Sequence, residues 1–220
     1  MTKSIIITAG GKGLRMGSEI PKQFLTIGEQ PILMATITQF YRFDPSMTIV
    51  IVLPKTHLEY WDSLVEKHQF EIDHQVVKGG ETRFHSIQNG LEVVHSDLVG
   101  VHDGVRPFVS RKVIENTFKV AATSGAAIPV ISLKDSIRKV SGLNSQAVNR
   151  EDYQLVQTPQ CFKTTIIKAA YANGYQASFT DDASVVEAAG HSIQLVEGND
   201  ENVKITTPND LKMANWFLNQ

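Results

Sequence analysis

Between Thr8 and Gly17 the chain reads Thr8-Ala9-Gly10-Gly11-Lys12-Gly13-Leu14-Arg15-Met16-Gly17, and Pro21-Lys22-Gln23 follows closely. Gly10, Gly11 and Gly13 carry no side chains to keep an anion from backbone N–H groups, and Lys12, Arg15 and Lys22 set cations along the same stretch. That combination suits a polyphosphate. An ordinary strand-to-helix turn also uses glycines for geometry, but it has no need of interleaved cations. Two familiar phosphate loops do not fit. A P-loop requires Lys-Ser or Lys-Thr after its last glycine, whereas Leu14-Arg15 follows Gly13. A dinucleotide fingerprint requires Gly or Ala where Met16 stands. The loop belongs to another kind of nucleotide or phosphate site.

Other groups could share that chemistry. In His102-Asp103-Gly104-Val105-Arg106-Pro107 a carboxylate able to hold a ribose hydroxyl or a metal stands near an arginine able to fork onto a phosphate; the two could equally pair with each other. Thr180-Asp181-Asp182-Ala183-Ser184 has the pattern of a helix N-terminus, where Thr180 or Asp181 can cap without being excluded from binding. Lys204 is a cation among apolar neighbours, as in a strand bordering a cleft. The histidines form no His-Glu-x-x-His or His-x-His arrangement, and the single cysteine, Cys161, reads as a small buried hydrophobe that cannot complete a zinc site. No Gly-x-Ser-x-Gly elbow is present. A surplus of phosphate-holding groups without a covalent nucleophile suits phosphoryl or nucleotidyl transfer, where positioning and charge neutralisation supply the catalysis.

These residues must be held by a frame, and the frame is legible. Ile5-Ile6-Ile7 reads as a buried strand ending at the glycine loop. Strands are expected at Thr48 to Leu53, Gln75 to Val77, Val99 to His102 and Ala126 to Ile131, with helices at Ile32 to Phe43, Leu58 to His68, Arg83 to Val94 and Val113 to Thr123. This order gives an α/β, Rossmann-like fold: a mostly parallel sheet with helices on both faces and ligands at the carboxyl ends of its strands. The glycine loop, Lys78-Gly79-Gly80 and His102 to Pro107 should therefore line one rim. From about 132 to 157 the pattern changes to polar, alternating segments around Ser141-Gly142-Leu143-Asn144-Ser145, the mark of a protruding β-hairpin arm. Such a ribbon is marginal alone in water, so it is expected to lie on a second copy in a homodimer. Beyond it, Lys163 to Asn173, Asp182 to Ala189 and Pro208 to Leu218 read as helices, and Ser192 to Val196 and Asn202 to Ile205 as short strands.

With 220 residues and a formal charge of -2, the chain suits one domain and argues against nucleic acid or an anionic membrane as a bulk partner. The apolar run at Ile5 to Ile7 is too short for a signal peptide and no stretch approaches membrane-spanning length, so a cytoplasmic protein is expected.

Taken in order, the loop from Ala9 to Met16, Pro21-Lys22-Gln23-Phe24, Gly79-Gly80, Val101-His102-Asp103 with Arg106-Pro107, Thr158-Pro159-Gln160, Thr180 to Ser184 and Leu195-Val196-Glu197-Gly198 with Asn202-Val203-Lys204 resemble the 2-C-methyl-D-erythritol 4-phosphate cytidylyltransferases of non-mevalonate isoprenoid synthesis. The resemblance spans nearly the whole chain. It implies one nucleotidyltransferase domain over 1–220 with the arm inserted at about 132–157, CTP and a polyol phosphate as substrates, and Mg²⁺ or another divalent cation held mainly by the triphosphate rather than by the protein. It implies further that Ala9, Gly10, Gly11, Lys12 and Gly13 wrap the triphosphate while Arg15, Lys22 and Lys204 act on the reacting phosphates. Gly79, Gly80 and Ser86 match the cytosine pocket, and Asp103 and Gly104 the ribose contacts. Arg106, Ser136, Arg150 and Thr180, with Asp181 beside it, match the acceptor site, to which the arm's Ser136 and Arg150 are contributed across the dimer.

Two departures stand out. Ser136 occupies a position where threonine is common in the family, and Gly104-Val105 one where two alanines are common. A sister family, the ribitol 5-phosphate cytidylyltransferases, shares the nucleotide loop. Against it, this chain has no extra residue between Met16 and Pro21-Lys22 and keeps Thr180 to Ser184. A non-catalytic nucleotide-binding module would need neither Arg15 nor Lys22.

Overall fold

The computed structural model describes residues 1–11 and 20–218. In chain order these form strands β1 (Lys3–Thr8), β2 (Thr26–Ile27) and β3 (Gln30–Pro31), helix α1 (Ile32–Phe43), β4 (Thr48–Leu53), α2 (Leu58–Lys67), β5 (Gln75–Lys78), α3 (Arg83–Glu92), β6 (Leu98–Asp103), α4 (Arg111–Ser124) and β7 (Ala126–Ser132). There follow β8 (Arg138–Ser141), β9 (Asn144–Ala147), β10 (Gln154–Val156), β11 (Gln160–Lys163), α5 (Thr164–Ala172), α6 (Asp182–Ala188), β12 (Gln194–Glu197) and α7 (Pro208–Phe217).

The main sheet runs β10-β7-β11-β6-β1-β4-β5, with β12 also pairing β7. Strands β5, β4, β1 and β6 are mutually parallel, as the β-branched runs predict. β1 shows why. Ile5 and Ile7 point into a core built with Leu33, Ile37 and Phe40 of α1 and Ile114 and Phe118 of α4, whereas Ile6 points into a second core with Ile87 and Leu91 of α3 and Ile167 of α5. Both faces are buried, so the strand is apolar without alternation. The chain moves outward from β1 through β4 to β5 and then returns to β6 on the other side of β1. That reversal makes a topological switch point, with a crevice at the carboxyl ends of β1, β4 and β6.

Other expectations are corrected. β10 and β11 were not anticipated; both are antiparallel to β7, and β11 is inserted between β6 and β7, so the sheet is mixed. The segment Asn202 to Ile205, expected as a strand, pairs with no strand among the described residues. Ile205 packs with Ile27, Ile32, Val105 and Ala214 and donates its N–H to the Val105 carbonyl, which ties Lys204 to the loop after β6.

The arm is present as the β8–β9 hairpin, every residue of which is exposed. It leaves and rejoins the sheet where Ser132 pairs with Gln154, so the ends of the expected 132–157 segment belong to the sheet itself. No helix among the described residues is long and apolar enough to cross a membrane.

Candidate active site

At the switch point, Ala9, Gly10 and Gly11 after β1, Pro54 after β4, Gly79 and Gly80 after β5, and Asp103 at the end of β6 surround a cavity of about 280 Å³ that Lys22, Ser86 and Lys204 also line. The strand ends are held in register by backbone bonds: Ala9 N–H to the Val52 carbonyl, Gly79 N–H to that of Leu53 and Gly104 N–H to that of Thr8. Lys12, Gly13 and Arg15 lie outside the described residues.

Lys22 opens a short 3-10 turn, and its stem lies across the start of the glycine loop, since a Cβ on Gly11 would stand 3.1 Å from Lys22 Cε. The next residue, Gln23, is wholly buried and donates from Nε2 to the Ala9 carbonyl at 2.7 Å, so the Pro21-Lys22-Gln23 motif is fastened to the strand it follows. Gly80 is pressed against α3. Its N–H donates to Ser86 Oγ at 3.1 Å, Ser86 donates in turn to the Thr82 carbonyl at 2.9 Å, and a Cβ at Gly80 would meet His85 Cβ at 2.5 Å.

Asp103 and Arg106 do pair with each other, as one reading of the sequence allowed, but Lys204 joins them. Arg106 Nε donates to Asp103 Oδ2 at 2.9 Å, and Lys204 Nζ stands 3.2 Å from the same oxygen. Burial pushes the Asp103 carboxyl up, but Lys204, Arg106 and Arg83 outweigh it and hold the group well below the usual carboxylate range. Asp103 is thus a fixed anion among cations. Arg106 is further anchored by donating from Nη1 to the Asn202 carbonyl at 2.7 Å. Gly104 sits behind the cavity wall, where a Cβ would meet the Thr8 carbonyl oxygen at 3.0 Å. An alanine at this position would have to press on that strand.

Beneath Asp103 runs a chain of hydrogen bonds. Its N–H donates to Thr158 Oγ1 at 3.1 Å, Thr158 and His102 Nδ1 are 2.9 Å apart, and His102 Nε2 is 3.0 Å from the Arg106 carbonyl. The network assigns a neutral ring that donates from Nε2 and accepts at Nδ1. Burial lowers the His102 pKa to about 4. The unfolded chain takes up this proton near pH 6.5 and the folded chain only near 4, so stability is lost as pH falls through that window. The expected loss between pH 7 and pH 4.5 is about 2.5 kcal/mol. Urea unfolding across that range should give a steeper decline for the parent than for His102→Asn; equal slopes would contradict it.

A second recess beside the cavity is lined by Thr180 and Asp181 and shares Thr82 and Arg83 with it. Asp181 caps α6, accepting the Ser184 N–H at 2.9 Å, and also accepts from Gln160 Nε2 at 2.7 Å. Ser136 and Arg150 line neither space. Ser136 is exposed on the arm, and Arg150 donates from Nη1 to the Lys134 carbonyl at the arm's base.

Sequence reasoning missed Arg83, which forks onto buried Asp182 across the cavity wall, and it assigned no task to Gln23. The signal available for Arg83 was its place just after Gly79-Gly80; nothing local pointed to Asp182 as its partner. Cys161 is buried with its thiol pushed well up, and Ser86 is engaged with backbone, so neither is poised as a nucleophile. What the cavity offers is cations and backbone N–H groups around Asp103, a carboxylate pinned by its neighbours, with Glu81 also on the wall.

An α/β sheet with glycine turns and cations gathered at its switch point is the frame of a nucleotide-transferring enzyme. A sequence model of the 2-C-methyl-D-erythritol 4-phosphate cytidylyltransferase (IspD) family matches residues 4–220, and the chain belongs to that family. The enzyme of that name from Phocaeicola vulgatus is 54% identical over 219 residues, covering 99% of this chain and 100% of the relative. Among solved structures, 4-diphosphocytidyl-2C-methyl-D-erythritol synthase from Anaerococcus prevotii superposes with a TM-score of 0.85 at 29% identity, covering 100% of this chain and 99% of that one. The 2-C-methyl-D-erythritol 4-phosphate cytidylyltransferase from Thermus thermophilus gives 0.83 at 33%, with both chains fully covered.

Proposed function

We propose that this chain transfers the cytidylyl group of CTP to 2-C-methyl-D-erythritol 4-phosphate, giving 4-diphosphocytidyl-2-C-methyl-D-erythritol and pyrophosphate. The observation that carries this reading is the convergence of Gly10, Gly11, Lys22, Gly79, Gly80, Asp103 and Lys204 on one cavity in a member of this family. A phosphate oxygen of the acceptor attacks the α-phosphorus of CTP, the bond from that phosphorus to the bridging oxygen breaks, and pyrophosphate leaves with its electron pair. No side chain is modified. Lys22, Lys204 and Arg15 neutralise the charge that grows on the α-phosphoryl oxygens, and the loop from Ala9 through Lys12 and Gly13 holds the triphosphate. Gly79, Gly80 and Ser86 read the base, and Asp103 fixes the ribose, with Gly104 shaping the wall behind it.

Among the described residues no group of three His, Cys, Asp or Glu side chains is arranged to hold a metal ion, and Asp103 already faces Arg106 and Lys204. On the family resemblance the divalent cation, Mg²⁺ or another, is held mainly by the triphosphate as part of the substrate, where it neutralises and orients the phosphates.

The acceptor lies against Arg106, Thr180 and Asp181, and Ser136 and Arg150 reach it from a second copy. Supporting a homodimer, the edge strand β10 exposes Leu155 and Val156 beside Tyr153 and Leu195, an apolar border unusual for a free sheet edge. A cytoplasmic enzyme is in keeping with water-soluble substrates.

Pyrophosphate release with CTP and each of two acceptors tests the reaction. Release should be fastest with methylerythritol phosphate. Faster release with ribitol 5-phosphate would assign the sister activity, and none with either would leave a binding module. Within the same assay, Gly80→Ala should raise the KM for CTP about tenfold, because the new methyl must displace α3 or the loop. An unchanged KM would remove Gly80 from the base pocket.

A further inference from the structure

We propose that Arg83, through its buried ion pair with Asp182, is a positioning residue that fixes the nucleotide wall and the acceptor wall at one separation. This rests on the cytidylyl-transfer reading, in which Thr82 to Ser86 border the nucleotide and Thr180 and Asp181 border the acceptor. Arg83 is the first residue of α3, after the capping Thr82, and Asp182 is the first residue of α6, after the capping Asp181. The pair therefore bolts two helix N-termini together across 99 residues of sequence. Arg83 Nη1 and Nη2 donate to Asp182 Oδ1 and Oδ2 at 2.9 and 2.5 Å, and Tyr171 Oη donates to Oδ1 at 2.6 Å.

The Asp182 side chain is 0% exposed, while that of Arg83 is 35% exposed and lines both the nucleotide cavity and the 120 Å³ recess beside Thr180. Arg83, next to Thr82, thus borders both spaces. The Phe84 ring, stacked on Tyr171 with centroids 4.4 Å apart, closes the same junction from behind. Apolar side chains could fill such a place with equal stability; a bidentate charge pair adds a fixed distance and angle between the elements that carry it. In-line attack on phosphorus depends on that distance, because the acceptor phosphate must meet a triphosphate held on the other wall.

The experiment replaces the pair by apolar isosteres in Arg83→Met with Asp182→Leu, and separately neutralises it in Asp182→Asn. The affinity for CTP alone is measured by calorimetry, KM and kcat with CTP and methylerythritol phosphate, and amide exchange over residues 180–184. The expected result is CTP affinity within about threefold of the parent in Asp182→Asn, a KM for the acceptor raised about tenfold in the double variant and about fivefold in Asp182→Asn, and faster exchange over 180–184. An acceptor KM within about twofold of the parent in whichever variant folds, or CTP affinity falling in the same proportion as acceptor binding, would overturn the proposal. Should the parent itself not turn over methylerythritol phosphate, the cytidylyl-transfer reading fails, and the exchange measurement alone decides the tie: faster exchange upholds it and unaltered exchange refutes it.

Discussion

Lys22→Ala should lower kcat about a hundredfold, close to 3 kcal/mol of transition-state stabilisation, with little change in KM for CTP. The lysine stem crosses the glycine loop at Gly11 and the residue lines the cavity wall, a placement that suits the α-phosphoryl oxygens rather than the base. Charge on those oxygens grows as the acceptor attacks, so a cation there acts more strongly in the transition state than in the bound ground state. Arg15→Ala should behave alike on the family resemblance. Steady-state kinetics separate the alternatives: turnover preserved with a raised KM would mean that Lys22 only binds the nucleotide.

Arg150→Ala should raise the KM for methylerythritol phosphate about thirtyfold, the loss of a charge-assisted hydrogen bond of about 2 kcal/mol, while the CTP affinity stays put. In its own chain Arg150 sits at the base of the arm, bonded to the Lys134 carbonyl and away from the cavity. It reaches an acceptor only if the arm lies on a second copy. Mixing Arg150→Ala with Lys22→Ala chains therefore builds one intact site in each mixed dimer, and an equimolar mixture should regain about one quarter of the parent activity. No recovery after subunit exchange has been demonstrated would sink the shared site.

How much of this was legible in the sequence follows from how locally each feature is encoded. The parallel half of the sheet was readable because Ile5 to Ile7 and Ile49 to Leu53 are buried on both faces and so form apolar runs. β11 was not. Gln160-Cys161-Phe162-Lys163 is short, starts with a buried glutamine and owes its place to antiparallel partners far away in β6 and β7. Asn202 to Ile205 misled in the opposite sense, since its β-branched residues look like a strand, whereas Ile205 joins a core cluster without any ladder to hold the segment.

In the site, Lys22, Asp103 and Lys204 stood out as charges next to glycine turns or apolar runs. Arg83 and Asp182 looked like ordinary helix-end charges, and only the tertiary fold brings them together. Gln23 was hidden for a related reason: its value lies in one hydrogen bond to Ala9.

The most direct test of the account follows phosphorus by NMR while the enzyme acts on CTP and methylerythritol phosphate with Mg²⁺. The acceptor's monophosphate resonance should disappear as a coupled diphosphate pair and free pyrophosphate grow in equal amounts. Release of orthophosphate, or a monophosphate signal that persists while CTP is consumed, would contradict it.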